Sequence, residues 1–444
     1  MRRSASPARV RAVAVLREIF ERGGRSTGLL AEQSRGLSPE DSDLLRAIVL
    51  GVLRNRARLD AELSAVSRVA WARLAPNLRE ILETALFQIR HLDRVPAYAA
   101  VDEAVSHAKA SGGGGAAGLV NAILRNVLRQ PPAAPIQNPK SKIQNPADLS
   151  VRFSHPEFLV ERWLSRFGPE KTLEILEADN SPSGLDLMTN ARRTDRETLA
   201  AALLAEGVST SPSPLSPLGL TVLSGNPLRS PLFAAGDFSV QDVGSQALPL
   251  LLPPGETLAD LAAAPGGKSF SALLHGRVRK AFALDLSLSR LRLVRENGVR
   301  LGIGEVVCAG ADLLAPPLAP GRLDRVLFDA PCSGTGTLRK NPEIRYRVSV
   351  EAIARLARFQ EDGLAAAAGL LAPGGFLLYS TCSLEEEENE NVVRRVLARR
   401  PELEPSAIEA PESLRPFVSG NRFQILPESS SDGFTAHLLR RRAA

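Results

Sequence analysis

Leu261-Ala262-Ala263-Ala264-Pro265-Gly266-Gly267-Lys268-Ser269 closes a short apolar run at Thr257 to Leu261 and opens a helical stretch at Lys268 to Leu274. Glycines in a strand-to-helix turn let the backbone approach a ligand, and the N-terminus of the helix favours an anionic group such as a carboxylate. The spacing is not a dinucleotide Gly-x-Gly-x-x-Gly. Nor is it a P-loop, which needs four residues between its first glycine and Gly-Lys. Downstream, Ala281 to Leu284, Val306 to Cys308, Arg325 to Phe328 and Phe376 to Tyr379 read as further strands. Helical patterns at Ser287 to Leu301 and Val350 to Leu371 separate most of them. Such alternation predicts an α/β fold with a doubly wound, mostly parallel sheet, whose ligands bind beyond the carboxyl ends of the strands.

Acids stand at those ends. Asp285 closes the second strand, eighteen residues after Gly267, where a carboxylate can take both hydroxyls of a ribose. Asp312 follows the third strand and suits an adenine amino group; Asp329 closes the fourth. One such aspartate is ordinarily a turn former. Successive acids beside a glycine turn that lacks a phosphate loop predict a nucleoside cofactor, with S-adenosylmethionine the natural candidate.

The same edge carries thiols. Of three cysteines, Cys332 lies in Asp329-Ala330-Pro331-Cys332-Ser333-Gly334-Thr335-Gly336 and Cys382 in Tyr379-Ser380-Thr381-Cys382-Ser383, each just past a predicted strand. Cys308 sits inside a strand without polar neighbours and is read as packing, the common fate of a free cysteine. Cytosine C5 is a poor nucleophile, but a thiolate added at C6 makes it enamine-like, able to attack a sulfonium methyl group. A base then removes the C5 proton and the thiol leaves. Two cysteines and an aspartate beside a nucleoside site supply those parts, although spacing does not say which thiol attacks.

At 444 residues the chain is long enough for two or three domains. An odd, small cysteine count argues against a disulfide framework. The apolar stretch after Arg2 and Arg3 is interrupted by Arg11, Arg17 and Glu18, and later apolar runs such as Leu364 to Pro373 are too short to span a bilayer. A cytoplasmic protein is expected. Net charge is +6, and seven lysines leave 48 of the 55 basic residues as arginine, which suits a polyanionic partner. In so arginine-biased a chain, Lys268 and Lys340 stand out.

Residues 7 to about 130 carry helical stripes: Val10, Val13, Val15, Leu16, Ile19 and Phe20; Leu44, Leu45, Ile48, Val49 and Val52; Leu78, Ile81, Leu82, Ala85, Leu86 and Ile89. Ser38-Pro39-Glu40 marks a helix start, and Gly112 to Gly115 a hinge. The tandem Ile136-Gln137-Asn138-Pro139 and Ile143-Gln144-Asn145-Pro146 lie in a Pro-rich linker. A small α+β unit follows, with helices at Pro156 to Phe167, Pro169 to Ala178 and Asp195 to Ala205. Its strands fall at Leu185 to Thr189 and Leu220 to Leu223, with a Ser/Pro-rich loop at Ser209 to Pro217. The expected domains are 1–130, a linker at 131–150, 151–235 and 236–444. Glu385 to Glu388 reads as acids opening a helix that carries Val392, Val393 and Val396.

The Ala263-to-Lys268 turn, Asp324 to Gly336, Ser380-Thr381-Cys382-Ser383 and Asp432-Gly433-Phe434 together resemble the NOL1/NOP2/Sun family of RNA cytosine-5 methyltransferases. Val240-Gln241-Asp242 with Ser245-Gln246 adds to the likeness, which covers roughly residues 150 to 442. Val95 to Val101 and Gly118 to Arg125 resemble the NusB-like helical domain, an arrangement found in the bacterial Sun branch. The resemblance implies a Rossmann-like S-adenosylmethionine methyltransferase sheet preceded by a small RNA-binding unit and a NusB-like bundle. It implies methylation of C5 of cytosine 967 in 16S ribosomal RNA by a metal-free monomer without membrane attachment. Cys382 would be the nucleophile, and Cys332 would assist proton removal and release. Asp329 would meet the methionine end of the cofactor and N3 of the base. Ala262, Ala263, Ala264, Pro265, Gly266, Gly267 and Lys268 would wrap the methionine portion, with Asp285 and Asp312 on ribose and adenine.

Ala262 stands where many members have cysteine, Leu323 where an aromatic or valine is usual, and Thr435 and Ala436 where aromatics are common. Two other readings compete: the same chemistry on transfer RNA, which the NusB-like region argues against, and a non-catalytic RNA-binding or antitermination protein. Decay to the latter should have eroded the glycine turn, an acid or a cysteine.

Overall fold

The computed structural model describes residues 6–130, 145–428 and 430–443. The chain forms two compact units, one of residues 1–181 with 338–347, the other of residues 182–337 with 348–444.

The first unit is helical, with helices at Pro7–Arg22, Ser26–Gln33, Pro39–Val66, Pro76–His91 and Ala97–Leu128. Leu16, Ile19, Leu45, Ile48, Val52, Leu82, Leu86 and Leu124 are buried together, as their spacing predicts. Val10 is the exception: it faces solvent, and Ala8 and Ala12 fill that side of the stripe. Ser38 caps the third helix, its Oγ accepting from Asp41 N at 3.1 Å, a contact worth about 1 kcal/mol. The expected hinge at Gly112 to Gly115 is narrower than the sequence suggests. The helix runs through it, and the departure is confined to Gly113, at φ 75° and ψ −167°. Gly168 likewise kinks a helix at Glu157–Asn180 that the sequence divides in two.

The linker expectation falls largely on residues 131–144, outside the described residues. Its end is not linker: Asn145 caps a helix at Pro146–Phe153, its side chain accepting from Ala147 N. Leu338–Arg347 also belongs to this unit. Buried Arg345 donates to Asn180 Oδ1 at 2.7 Å and Asp179 O at 2.9 Å, and Glu343 accepts from Ser26 N and Oγ at 3.2 and 2.8 Å. Sequence periodicity carries no trace of such a long-range graft.

The second unit holds two sheets. In the smaller, strands β1 (Asp186–Thr189), β2 (Ser209–Pro212), β3 (Gly219–Ser224) and β4 (Phe238–Val240) pair antiparallel in the order β2-β3-β1-β4. Leu187, Leu199, Leu203, Leu220 and Phe238 form its core. The expected Ser/Pro-rich loop begins with a strand, β2, at the sheet edge where proline removes no interior hydrogen bond.

The larger sheet contains β5 (Thr257–Asp260), β6 (Lys280–Asp285), β7 (Val306–Gly310), β8 (Leu323–Asp329), β9 (Leu371–Thr381), β10 (Leu403–Pro405), β11 (Val418–Ser419), β12 (Arg422–Ile425) and β13 (Phe434–Arg441). Its order is β11-β12-β13-β9-β8-β5-β6-β7, with β10 against β13. Strands β5 to β9 are parallel and β10 to β13 antiparallel. From β5 the chain winds outward through β6 to β7, then returns to β8 on the other side. The switch point therefore lies between β5 and β8, where doubly wound sheets bind ligands. The glycine turn leaves β5, and Asp329 ends β8.

Candidate active site

The turn after β5 is tied down through its backbone, Leu261 N donating to Leu327 O and Ala263 N to Leu284 O. Gly266 has φ 102°, and a Cβ there would stand 2.6 Å from the Phe270 ring, so the position requires glycine. A Cβ on Gly267 would lie 3.0 Å from the Gln241 carboxamide carbon. Gln241 Oε1 is buried there without a hydrogen-bond partner. A side-chain-free turn beside an orphaned buried acceptor fits a ligand with donor groups, such as the amino group of an amino acid.

Asp285 is buried, its Oδ2 accepting from Ala264 N at 3.2 Å and Oδ1 from Ser287 N at 2.9 Å. Arg290 Nη1 stands 3.5 Å from Oδ2. Asp260, at the end of β5, is fully buried and accepts from Ser269 Oγ at 2.8 Å. Burial pushes its carboxyl up to about 6, with the Ser269 hydroxyl and Lys268 charge opposing. Asp312 is exposed, two residues beyond β7, and its Oδ1 accepts from Leu314 N at 2.9 Å. The structure thus gathers Asp285 and the glycine turn directly, while Asp312 engages its own loop.

On the other side of the switch point, Lys268 Nζ meets Asp329 Oδ2 at 2.7 Å, and Ser380 Oγ donates to Asp329 Oδ1 at 2.8 Å. Burial alone would lower the lysine, but the Asp329 charge prevails and holds its ammonium above the ordinary value. The use of lysine here has a specific partner.

Cys332 Sγ and Cys382 Sγ are 3.3 Å apart. The hydrogen bond to Cys382, followed by burial and the charges of Cys382, Glu388 and Asp329, raises the Cys332 thiol well above its ordinary value. The Cys332 thiolate is thus disfavoured while Cys382 stands beside it. Cys308, on the edge strand β7, is separated from β9 by β6, β5 and β8, and packs half-buried against the core. Three sequence motifs converge under the thiols. Gly336 N donates to Cys382 O at 2.9 Å, and Gly433 N to Gly336 O at 2.7 Å. A Cβ on Gly336 would stand 2.5 Å from Gly433 O.

This constellation has relatives. The family described as 16S rRNA methyltransferase RsmB/F matches residues 247–440, the NusB family residues 6–129, and a RsmF/B-like ferredoxin-like domain residues 155–229. A probable ribosomal RNA small subunit methyltransferase B from Bacillus subtilis is 33% identical over 92% of this chain and 93% of its own. The ribosomal RNA small subunit methyltransferase B of Klebsiella pneumoniae is 32% identical over 97% of both chains. The chain belongs to the RsmB/F methyltransferase family. Among solved structures, a methyltransferase homolog protein from Pyrococcus horikoshii is 27% identical, with a TM-score of 0.57 over 67% of this chain and 99% of that one.

Within this RsmB/F chain, several candidate site residues carry little signal in the sequence. Asp260 continues the series of strand-end acids, and that regularity was the available signal. Gln241 was noted only as part of a motif. Glu388 is a correction: the four acids do not open the helix, which spans Glu390–Arg399, and Glu388 is fully buried in the turn before it. Gln360 and Asn389, also fully buried, gave no signal, because a polar residue's burial depends on what folds over it. Thr435 and Ala436 are buried in β13, opposite Thr381 and Ser380, and so belong to the sheet rather than to a base-stacking surface. Among the described residues no group of His, Cys, Asp and Glu could hold a metal ion, and no helix is long and apolar enough to cross a membrane.

Proposed function

We propose that this RsmB/F member methylates C5 of a cytosine in 16S ribosomal RNA, cytosine 967, through a covalent bond between Cys382 and C6. The observation that carries the reading is the thiol pair, 3.3 Å apart, just past the ends of β8 and β9 and beside an aspartate–lysine pair at the switch point. Methylation of an exocyclic amine or a hydroxyl has no use for two thiols.

S-adenosylmethionine, when bound, supplies an electrophilic methyl group. Ala262 to Lys268 and Gln241 would hold its methionine portion, Asp285 its ribose and Asp312 its adenine. The amide of Ala264 and the backbone of Ser287 fix the Asp285 carboxylate for that task. Asp329, braced by Lys268 and Ser380, would meet the base at N3, with the ammonium offsetting negative charge that develops on the ring.

The upward push on the Cys332 thiol from its neighbour is consistent with this order of events. Cys382 attacks while its neighbour stays a thiol. Once the Cys382 sulfur is bonded to carbon, the hydrogen bond that most raises Cys332 is lost. Cys332 then gives its proton to solvent, and its thiolate takes the C5 proton as the C6–sulfur bond breaks and Cys382 leaves as the thiolate. The helical region up to residue 130 and the small four-stranded sheet would grip the RNA, with catalysis on the larger sheet.

The test is to incubate the protein with S-adenosylmethionine and either 16S ribosomal RNA or transfer RNA, then map 5-methylcytosine. A single modified cytosine in the ribosomal RNA is expected. Modification of transfer RNA alone would favour the second substrate, and no 5-methylcytosine in either would overturn the reading.

A further inference from the structure

Glu388 has no part in the chemistry above, yet it is fully buried and its oxygens are crowded with donors. Oε1 accepts from Ser333 N at 2.8 Å and Gln360 Nε2 at 3.0 Å. Oε2 accepts from Ser383 Oγ at 2.5 Å and from Ser333 Oγ. Ser333 follows Cys332 and Ser383 follows Cys382, so one carboxylate ties together the loops that carry both thiols. Gln360 Nε2 also donates to Pro331 O at 2.8 Å, gripping the other side of Cys332.

Asn389 frames Cys382 in the same manner. Its Oδ1 accepts from Thr381 Oγ1 at 2.6 Å, and its Nδ2 donates to Ser383 O at 2.9 Å. Each cysteine is thus bracketed on both sides by one buried network. Burial raises the Glu388 carboxyl above its ordinary value, against the pull of its serine and amide donors. A group held at that disadvantage is a poor choice for mere packing, since an apolar side chain would fill the space without it.

We propose that Glu388 is a positioning residue that sets the Cys332–Cys382 separation, with Gln360 and Asn389 completing the clamp. Cysteine has a single side-chain torsion, so its sulfur goes where its loop goes. Two sulfurs that must serve one bound base tolerate little drift, because a misplacement of about 1 Å costs on the order of 100-fold in rate. The consequence for catalysis rests on the cytosine-5 reading, whereas the geometric consequence does not.

The experiment therefore has two readouts on the full chain. Capture by phenylarsine oxide, which binds two thiols only when they are close, reports the separation without any substrate. Steady-state methylation of ribosomal RNA reports its use. Glu388→Ala should weaken arsenical capture about tenfold or more and lower kcat about 100-fold, with KM for RNA and S-adenosylmethionine affinity close to wild type. Glu388→Gln should recover most of both, because the serine hydroxyls can reverse and accept from the amide. If Glu388→Ala does not melt cooperatively, Gln360→Ala carries the same expectation. Wild-type arsenical capture in the alanine variant overturns the proposal. Weakened capture together with a wild-type protein that methylates no cytosine upholds the clamp and rejects the cytosine-5 reading instead.

Discussion

The two halves of the site are held by different means. The thiol half is fixed by side chains: Glu388, Gln360, Asn389, Ser333 and Ser383 form a largely buried network around Cys332 and Cys382. The half proposed to hold the cofactor is fixed mainly by backbone, through a glycine turn pinned to β6 and β8 and a carboxylate held by loop amides. Its outermost acid, Asp312, is exposed and folds back on its own loop. Backbone contacts survive changes of side chain. Buried networks do not, since each lost partner leaves another polar group unsatisfied. Substitution should therefore be far less forgiving on the thiol side.

The largest effect should come from Cys382→Ala, which removes the sulfur proposed to attack the base. Methyl transfer should fall at least about 1,000-fold while S-adenosylmethionine binding by calorimetry stays near wild type. Retained turnover would reassign the nucleophile and break the comparison at its centre.

Asp260 sharpens the contrast, as the one wholly buried acid among the cofactor-side carboxylates. Its folded-state value of about 6 lies above the ordinary 3.8. The stability linked to its protonation is complete below pH of about 4 and is lost as pH rises through about 6, a cost of about 3 kcal/mol at neutral pH. Asp260→Asn should melt several degrees above wild type at pH 8, with the gap closing toward pH 4. A gap that does not change with pH would mean that the buried charge is already compensated.

Smaller effects are expected where backbone dominates. Asp285→Ala should weaken S-adenosylmethionine binding on the order of 30-fold, and Asp312→Ala only about threefold, because solvent already competes for an exposed carboxylate. Equal losses would show that both acids grip the cofactor alike and would erase the gradient across that half.

Much of this was legible beforehand because it is local. Strand, turn and helix after Thr257 follow one another within a few residues, and the cysteine motifs lie at strand ends that apolar runs mark out. The antiparallel strands β10 to β13 were not, since Arg422–Ile425 and Phe434–Arg441 acquire their meaning only by pairing with β9 and with one another. The acid run at Glu385 to Glu388 was misread for the same reason. Its helix-start composition is common, whereas the partners of Glu388 include Ser333, 55 residues earlier in the chain. The capture of Leu338–Arg347 by the helical unit is equally non-local.

The central claim is the division of labour between the thiols, and trapping tests it most directly. Cys332→Ala protein is mixed with S-adenosylmethionine and substrate ribosomal RNA, denatured, and digested, and the RNA-linked peptide is sequenced by mass spectrometry. The account predicts a denaturant-stable adduct on Cys382 that is absent from the wild-type protein at steady state. An equivalent adduct formed by Cys382→Ala through Cys332 would contradict it.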